Sequence, residues 1–306
     1  MAQDIVPLGI GEGKARPRLR AIGIGGAGCN AIANCTFDAV ALCLARDSFH
    51  TAPHHRRITL SEEHVNFVRS TSPRLLDTMD HECTRNLKAA VGESDLLFLF
   101  TGLGGETGSH LTPGIAHFAR RSSGLVVVSA AMPFSVEGSE RRELAKKVLP
   151  DILDAAHLTI TYPNDGLLEM TPNLPLRRAF KVMDEIMSIP ALELAQVITR
   201  DDITALRSDL GSSRHMRFGM GQGAGIRKEE LAVADAFTSP WLDFPLHKVS
   251  LAIVVISGGE VDHYSVKAVM ASLTPRIPGA KIRYATKTDP LLGDKLRVML
   301  LLSYGP

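Results

Sequence analysis

Leu96-Leu97-Phe98-Leu99-Phe100-Thr101 runs without a break into Gly102-Leu103-Gly104-Gly105-Glu106-Thr107-Gly108-Ser109. The apolar run reads as a buried strand. The segment after it reads as a strand-to-helix loop whose glycines let backbone N–H groups approach an anion, with hydroxyls at Thr107 and Ser109 able to donate to phosphate oxygens. It is not a Walker loop, because no Gly-Lys-[Ser/Thr] appears. A second loop of the same kind stands upstream, Gly23-Ile-Gly25-Gly26-Ala27-Gly28-Cys29-Asn30, directly after the apolar run Leu19–Ile24. Gly23, Gly25 and Gly28 satisfy GxGxxG, and Asp47 lies 19 residues beyond Gly28, where a dinucleotide fold carries its ribose-binding acid. Alone, this first loop fits phosphate binding or a mere tight turn, and leaves the nucleotide open. A nicotinamide-dependent dehydrogenase would explain the first loop and leave Gly102–Ser109 without a task. Two such loops at strand ends suggest one nucleotide held between them.

Around these loops, short apolar runs alternate with amphipathic stretches. Ala39–Ala45, Gly124–Ala130 and His157–Thr161 read as further buried strands. Asn30–Cys35, Pro73–Val91, Thr112–Arg121 and Ser139–Leu149 read as helices. This alternation predicts an α/β fold with a parallel sheet, helices on both faces and ligands at the carboxyl ends of the strands. A long amphipathic segment, Leu176–Arg200, follows; Pro190 should kink or split it. Beyond a glycine-rich stretch, Phe218–Gly225, the pattern predicts a helix at Lys228–Phe237, a strand at Val249–Ser257, a helix at Glu260–Leu273 and strands at Lys281–Ala285 and Lys295–Ser303. The expected organisation is an N-terminal extension (1–17), a nucleotide-binding domain (18–175), a central helix (176–200) and a smaller mixed α/β domain (201–306).

Composition narrows the function classes. The 306 residues are 45% hydrophobic and 22% charged, with a net charge of +1. Such a balance argues against a nucleic-acid or anionic-membrane partner. Lys14, Arg16, Arg18 and Arg20 read as a solvated lead-in to the first strand. No apolar run reaches the roughly 18 residues of a membrane span, and Met1–Pro17 has no signal-peptide core. Cys29, Cys35, Cys43 and Cys83 form no CxxC pair, and His54 and His55 read as surface-loop residues, so no metal ligand is assigned. Reduced thiols and a cytoplasmic location are expected.

Gly102–Ser109 resembles the tubulin/FtsZ signature GGGTGTG, and Gly23–Asn30 resembles the FtsZ loop GVGGGGGNA. Pro133-Phe134-Ser135-Val136-Glu137-Gly138, followed by Arg141-Arg142, is similar to the FtsZ segment PF-x-x-EG-x-RR with one residue inserted. Tyr162-Pro163-Asn164-Asp165-Gly166-Leu167 is similar to IPNDxL, Ala179-Phe180-Lys181 with Asp184 to the start of the family's central helix, and Thr288-Asp289-Pro290 to its second domain. The resemblance runs from Arg18 to Pro306 and is closer to FtsZ than to eukaryotic tubulin.

It implies a GTP- or GDP-binding cytoskeletal protein, with Mg²⁺, that assembles head to tail into filaments in cell division or cell shape. Gly25, Gly26, Ala27, Gly28, Gly104, Gly105, Glu106, Thr107 and Gly108 would wrap the phosphates. Glu137 would hold the ribose, Arg141 or Arg142 would lie near the nucleotide, and Asn30, Asn164, Phe180 and Asp184 would complete the nucleotide site. Phe180 can stack on a purine, and a carboxylate at i+4 on the same helix face can accept from guanine N1–H and N2–H₂. Adenine leaves that acceptor unpaired.

Three features depart from the family. Glu106 stands where the signature has glycine, inside a loop meant for anions, and His110 replaces the last glycine. In Ile198–Arg207, against the catalytic pattern NxDxxD, matching Arg207 to the family arginine leaves Asp202 at the first aspartate, Ala205 at the second and no asparagine. Asp201 and Asp202 are the remaining acids for orienting water, so hydrolysis is expected to be weak. Arg207, Arg214 and Arg217 make this flank basic. Docking on membrane adaptors through an extended linker and terminal peptide, as in FtsZ chains, is not expected. A non-catalytic chain that co-assembles with a second FtsZ-type protein is the alternative.

Overall fold

The computed structural model describes residues 3–9, 15–47, 49, 55–76, 78–211 and 214–303. Lys14 and His54 lie outside them. The strands are β1 (Ile5–Pro7), β2 (Leu19–Ile24), β3 (Ala39–Leu44), β4 (Arg56–Leu60), β5 (Ser94–Gly102) and β6 (Ser123–Met132). They continue with β7 (Leu158–Pro163), β8 (His215–Gly223), β9 (Leu251–Gly258), β10 (Lys281–Thr288) and β11 (Leu296–Ser303). The first helices are α1 (Gly25–Ile32), α2 (Glu62–Ser70), α3 (Glu82–Val91), α4 (Glu106–Ser122) and α5 (Ser139–Ala155). The rest are α6 (Asp165–Met170), α7 (Leu176–Val197), α8 (Arg200–Leu210), α9 (Lys228–Phe237) and α10 (His263–Leu273). Among the described residues no helix is long and apolar enough to cross a membrane.

The chain divides into two compact units, Pro17–Leu192 and the remainder, with the boundary inside α7. In the first, β4-β3-β2-β5-β6-β7 form an all-parallel sheet. Such a sheet is covered on both faces, which is why β3 is buried along its whole length and β5 and β6 nearly so. Its carboxyl ends deliver Gly25, Arg46, Leu103, Pro133 and Asn164 to one edge. Helix α1 follows β2 without a linker and lies directly on the sheet. A Cβ on Gly28 would overlap the Phe100 carbonyl, so glycine is required there.

In the second unit β1, β10 and β9 are parallel, while β11 runs antiparallel between β9 and β8. The glycine-rich stretch is therefore a strand. Gly221 faces the backbone of α9 at Ala232 and Ala236, leaving no room for a Cβ, so the missing side chains let α9 lie flat on β8.

Several expectations need correction. Pro190 does not split α7, which continues to Val197. Close to the proline, Ser188 Oγ donates to Glu185 O at 2.7 Å and Ser129 Oγ to Met187 O at 2.9 Å. The helix expected over Pro73–Val91 is confined to α3, which begins where His81 Nδ1 accepts from Cys83 N. Helix α4 begins at Glu106, well before Thr112, and carries Pro113 in its interior. β1, β4, α2 and α8 were not anticipated. Arg20 is not solvated: it donates to Asp38 and to the Ala90 and Val91 carbonyls. His55 is buried, with its Nε2 3.3 Å from Cys35 O, rather than in a surface loop. The four cysteines are free and buried.

Gly28→Ala should destabilise the protein by about 3 kcal/mol, the upper range for forcing a methyl into a packed site. Urea denaturation reads it directly.

Candidate functional site

The parallel sheet's carboxyl edge opens into a cavity of about 500 Å³. Gly25, Gly26 and Ala27 from the start of α1 face Gly105, Glu106, Thr107 and Gly108 from the start of α4 across it. Two helix N-termini converging on one space favour an anion, because their first N–H groups have no intrahelical partner. Thr107 Oγ1 lies 3.4 Å from Asp47 Oδ2, and Asp47 also accepts from Leu44 N at 2.8 Å. Glu106, the carboxylate in this loop, is met by Arg46, whose Nη2 donates to it at 2.6 Å. Arg46 Nη1 donates equally closely, at 2.6 Å, to Glu62.

Glu137 lines the cavity from the loop after β6. Its Oε1 accepts from Phe134 N and its Oε2 from Arg141, both at 2.7 Å, which fixes the carboxylate in place. Asn164 is 4% exposed and lines the same space, and its Oδ1 has no partner among the described residues. A buried amide oxygen without a partner is costly, so it points to a ligand donor. Phe180 and Asp184 close the cavity from α7, on one face of the helix. Phe180 is 37% exposed and meets Phe134 edge-on, with centroids 5.2 Å apart and planes at 86°. The same two residues also line a neighbouring cavity of about 650 Å³, with Asn30, Arg177, Arg178 and Lys181. The two cavities thus meet at an aromatic ring and a carboxylate. Burial pushes the Asp184 carboxyl up to about 7, against the opposing hydrogen bond from Asn30 and with a small further rise from Glu185.

Four anticipated residues do not line the first cavity. Gly28 is packed against β5, Gly104 lies against the backbone of Arg141, Asn30 faces the second cavity and Arg142 is exposed. Ser109 is buried and its hydroxyl accepts from Gly104 N at 2.9 Å, shaping the loop instead of reaching a ligand. Conversely, Arg46 and Asp47 were missed as a pair. Their signal was position, just past the carboxyl end of a parallel strand.

In the second unit, the stretch read as a catalytic loop is the start of α8. Thr199 and Asp202 form a capping box, legible as Thr-x-x-Asp. The Asp202 carboxylate accepts from Thr199 N at 2.8 Å, Thr199 Oγ1 at 2.6 Å and Gly9 N at 3.1 Å. It is buried and engaged, unlike an acid poised on open water. Asp201 is exposed, and Ala205 stands four residues on along the same helix face.

A profile for the Tubulin/FtsZ family, GTPase domain, matches residues 46–172. The cell division protein FtsZ of Methanothermobacter thermautotrophicus is 30% identical over 256 residues, spanning 80% of this chain and 67% of its own length. This chain belongs to the FtsZ/tubulin family. The cell division protein FtsZ 1 of Archaeoglobus fulgidus is 28% identical over 93% of this FtsZ-family chain and 81% of its own. An FtsZ dimer from M. jannaschii superimposes with a TM-score of 0.81 at 26% identity, covering 95% of this chain and 89% of that one. GDP-bound CetZ1 from Haloferax volcanii shares the fold at 16% identity, with a TM-score of 0.73 over 94% of each chain. The FtsZ family assignment displaces the dehydrogenase reading, and Asp47 is occupied by Leu44 N and Thr107.

The raised Asp184 carboxyl has a sign that can be tested. The native state holds a proton that the unfolded chain releases above about pH 4, so stability falls as pH rises toward 7. Asp184→Asn cannot ionise. Its unfolding free energy should gain on wild type by roughly 1–2 kcal/mol between about pH 4 and pH 8, a discounted value for a partly exposed group, measured by urea titration at each pH.

Proposed function

We propose that this chain binds guanine nucleotide across the two joined cavities and polymerises head to tail, as a division or shape filament with slow GTP turnover. The observation that carries the reading is the meeting of an anion-binding loop pair with Phe180 and Asp184 at one edge of the sheet. The helix N-termini at Gly25–Ala27 and Gly105–Gly108 take the phosphates. Glu137, to which Arg141 donates at 2.7 Å, keeps a second lone pair on each oxygen for the ribose hydroxyls. Phe180 stacks on the base and Asp184 accepts from the guanine edge, with the unpartnered Asn164 Oδ1 a further acceptor.

The residues fit a nucleotide, and the volume of about 500 Å³ at the phosphate end suits one. Among the described residues no three His, Cys, Asp or Glu side chains cluster as metal ligands. Mg²⁺ would therefore enter with the nucleotide, held mainly by its phosphates with Asp47 and Thr107 nearest, and would offset phosphate charge.

Head-to-tail contact that does not close on itself gives a filament, and it would bring the start of α8 of one copy to the nucleotide of the next. Asp201 is then the acid available to orient water; Asp202 positions the helix. A second reading, a non-catalytic partner of another FtsZ-type protein, is favoured by the same engagement of Asp202.

Denaturing the purified protein and chromatographing what it releases should yield GDP or GTP, and Asp184→Ala should release about tenfold less, the scale of losing one buried hydrogen bond to the base. Protein that carries none and refuses added GTP with Mg²⁺ overturns the reading. Ala205→Asp, which places a carboxylate one turn from Asp201, should raise turnover by about tenfold or more in assembling protein. Unchanged turnover alongside intact nucleotide binding selects the non-catalytic partner.

A further inference from the structure

Arg46 is the basic side chain at the phosphate end of the cavity, and it is shared between two carboxylates. Its Nη1 and Nη2 reach Glu62 and Glu106, each at 2.6 Å. Glu106 opens α4 and lines the cavity beside the helix N-terminus, where an anion is favoured. Asp47 adds a further carboxylate at the Thr107 hydroxyl. Without Arg46 this end of the cavity would present two carboxylates, Glu106 and Asp47, to an incoming phosphate. With it, Glu106 is offset directly.

The arrangement is suited to exchange. Arg46 and Glu106 are each 53% exposed, and a half-exposed pair is weak enough to open readily. A guanidinium prefers a phosphate dianion, which it can grip with two parallel N–H bonds, to a single exposed carboxylate. Glu62 contacts the other nitrogen and belongs to α2, outside the cavity lining, so it can hold the guanidinium near the loop while Nη2 changes partner. On the opposite wall Arg141 is already committed to Glu137 at 2.7 Å. Arg46 is therefore the cation best placed to answer an added phosphate.

We propose that Arg46 reads the terminal phosphate of the bound nucleotide, exchanging Glu106 for it while Glu62 keeps the guanidinium in reach, so that the Arg46–Glu106 pair sets the preference for triphosphate over diphosphate. This rests on the guanine-nucleotide reading above. Glu106 is then the resident anion that the terminal phosphate displaces. A diphosphate, which lacks that group, leaves the pair closed.

The test is the affinity for GTP and for GDP, each with Mg²⁺, of wild type, Arg46→Ala, Arg46→Lys, Glu106→Gln and the double variant Arg46→Ala/Glu106→Gln. Arg46→Ala should weaken both ligands, because Glu106 is left uncompensated. In the double variant that repulsion is gone: GDP affinity should return to within about threefold of wild type while GTP stays about tenfold weaker, the scale of one charge-assisted hydrogen bond. Arg46→Lys should fall between, keeping charge without the fork. Glu106→Gln alone should tighten GTP several-fold, and only with Arg46 present. If GTP recovers fully in the double variant, or if GTP and GDP move in parallel throughout, Arg46 is a static counter-charge and the proposal fails, with nucleotide binding intact. If wild type binds neither nucleotide, the guanine reading and the terminal-phosphate role fall together.

Discussion

The contact between Gly28 and the carbonyl of Phe100 sets the distance between α1 and the sheet, and most of the site depends on that distance. Helix α1 can present its first N–H groups at the sheet's carboxyl edge only because it begins immediately after β2 and lies against β5 with no side chain between them. Across the cavity, α4 begins at Glu106, three residues after Leu103 leaves the edge of β5. Both helix N-termini then point into one space, and charge, not shape, becomes the dominant feature of that end of the cavity.

A carboxylate in such a loop is tolerable because it is answered locally. Glu106 is paired with Arg46 and Arg46 with Glu62, a chain of charges that crosses from α4 to α2 by way of a residue two positions past β3. At the other end of the cavity the same economy recurs with Glu137, which accepts from both Phe134 N and Arg141. Asp184 is treated differently. It has the Asn30 amide as partner but sits where burial penalises its charge, so its proton is held until about neutral pH. An acceptor of that kind is costly to bury and useful only where a ligand supplies donors. The unpartnered Asn164 Oδ1 has the same character.

The two ends of α7 face different chemistry. Its beginning carries Phe180 and Asp184 to the cavities, and its end carries Glu193 into the second unit, where it pairs with Lys287 at 2.7 Å. Continuity through Pro190 keeps this a single element. Hydroxyls of Ser188 and Ser129 bond carbonyls near the proline, and close packing of Met187, Ala191 and Leu194 holds the turns around it. Local propensity would have ended the helix; burial overrode it.

The amino-acid sequence by itself determined the architecture and the identity of most side chains facing the cavity. Buried runs such as Leu96–Thr101, alternating with amphipathic stretches, read as strands of a covered parallel sheet, and the glycine-rich turns at their ends read as close approaches of backbone. Phe180 and Asp184, four residues apart, share a face on any helix. What only the tertiary structure decided is where charges and hydrogen bonds are spent. The pairing of Arg46 with Glu106 joins residues 60 positions apart, and no local pattern contains it. The engagement of Asp202 by Gly9 depends on a contact across 193 positions. Gly28 and Ser109 look locally like ligands of phosphate, yet packing against Phe100 and a hydrogen bond from Gly104 turn them to structural use. Periodicity and glycine placement act over a few residues and survive in the sequence. Electrostatic and hydrogen-bond partners are chosen by the folded chain, which brings distant residues within a few ångströms.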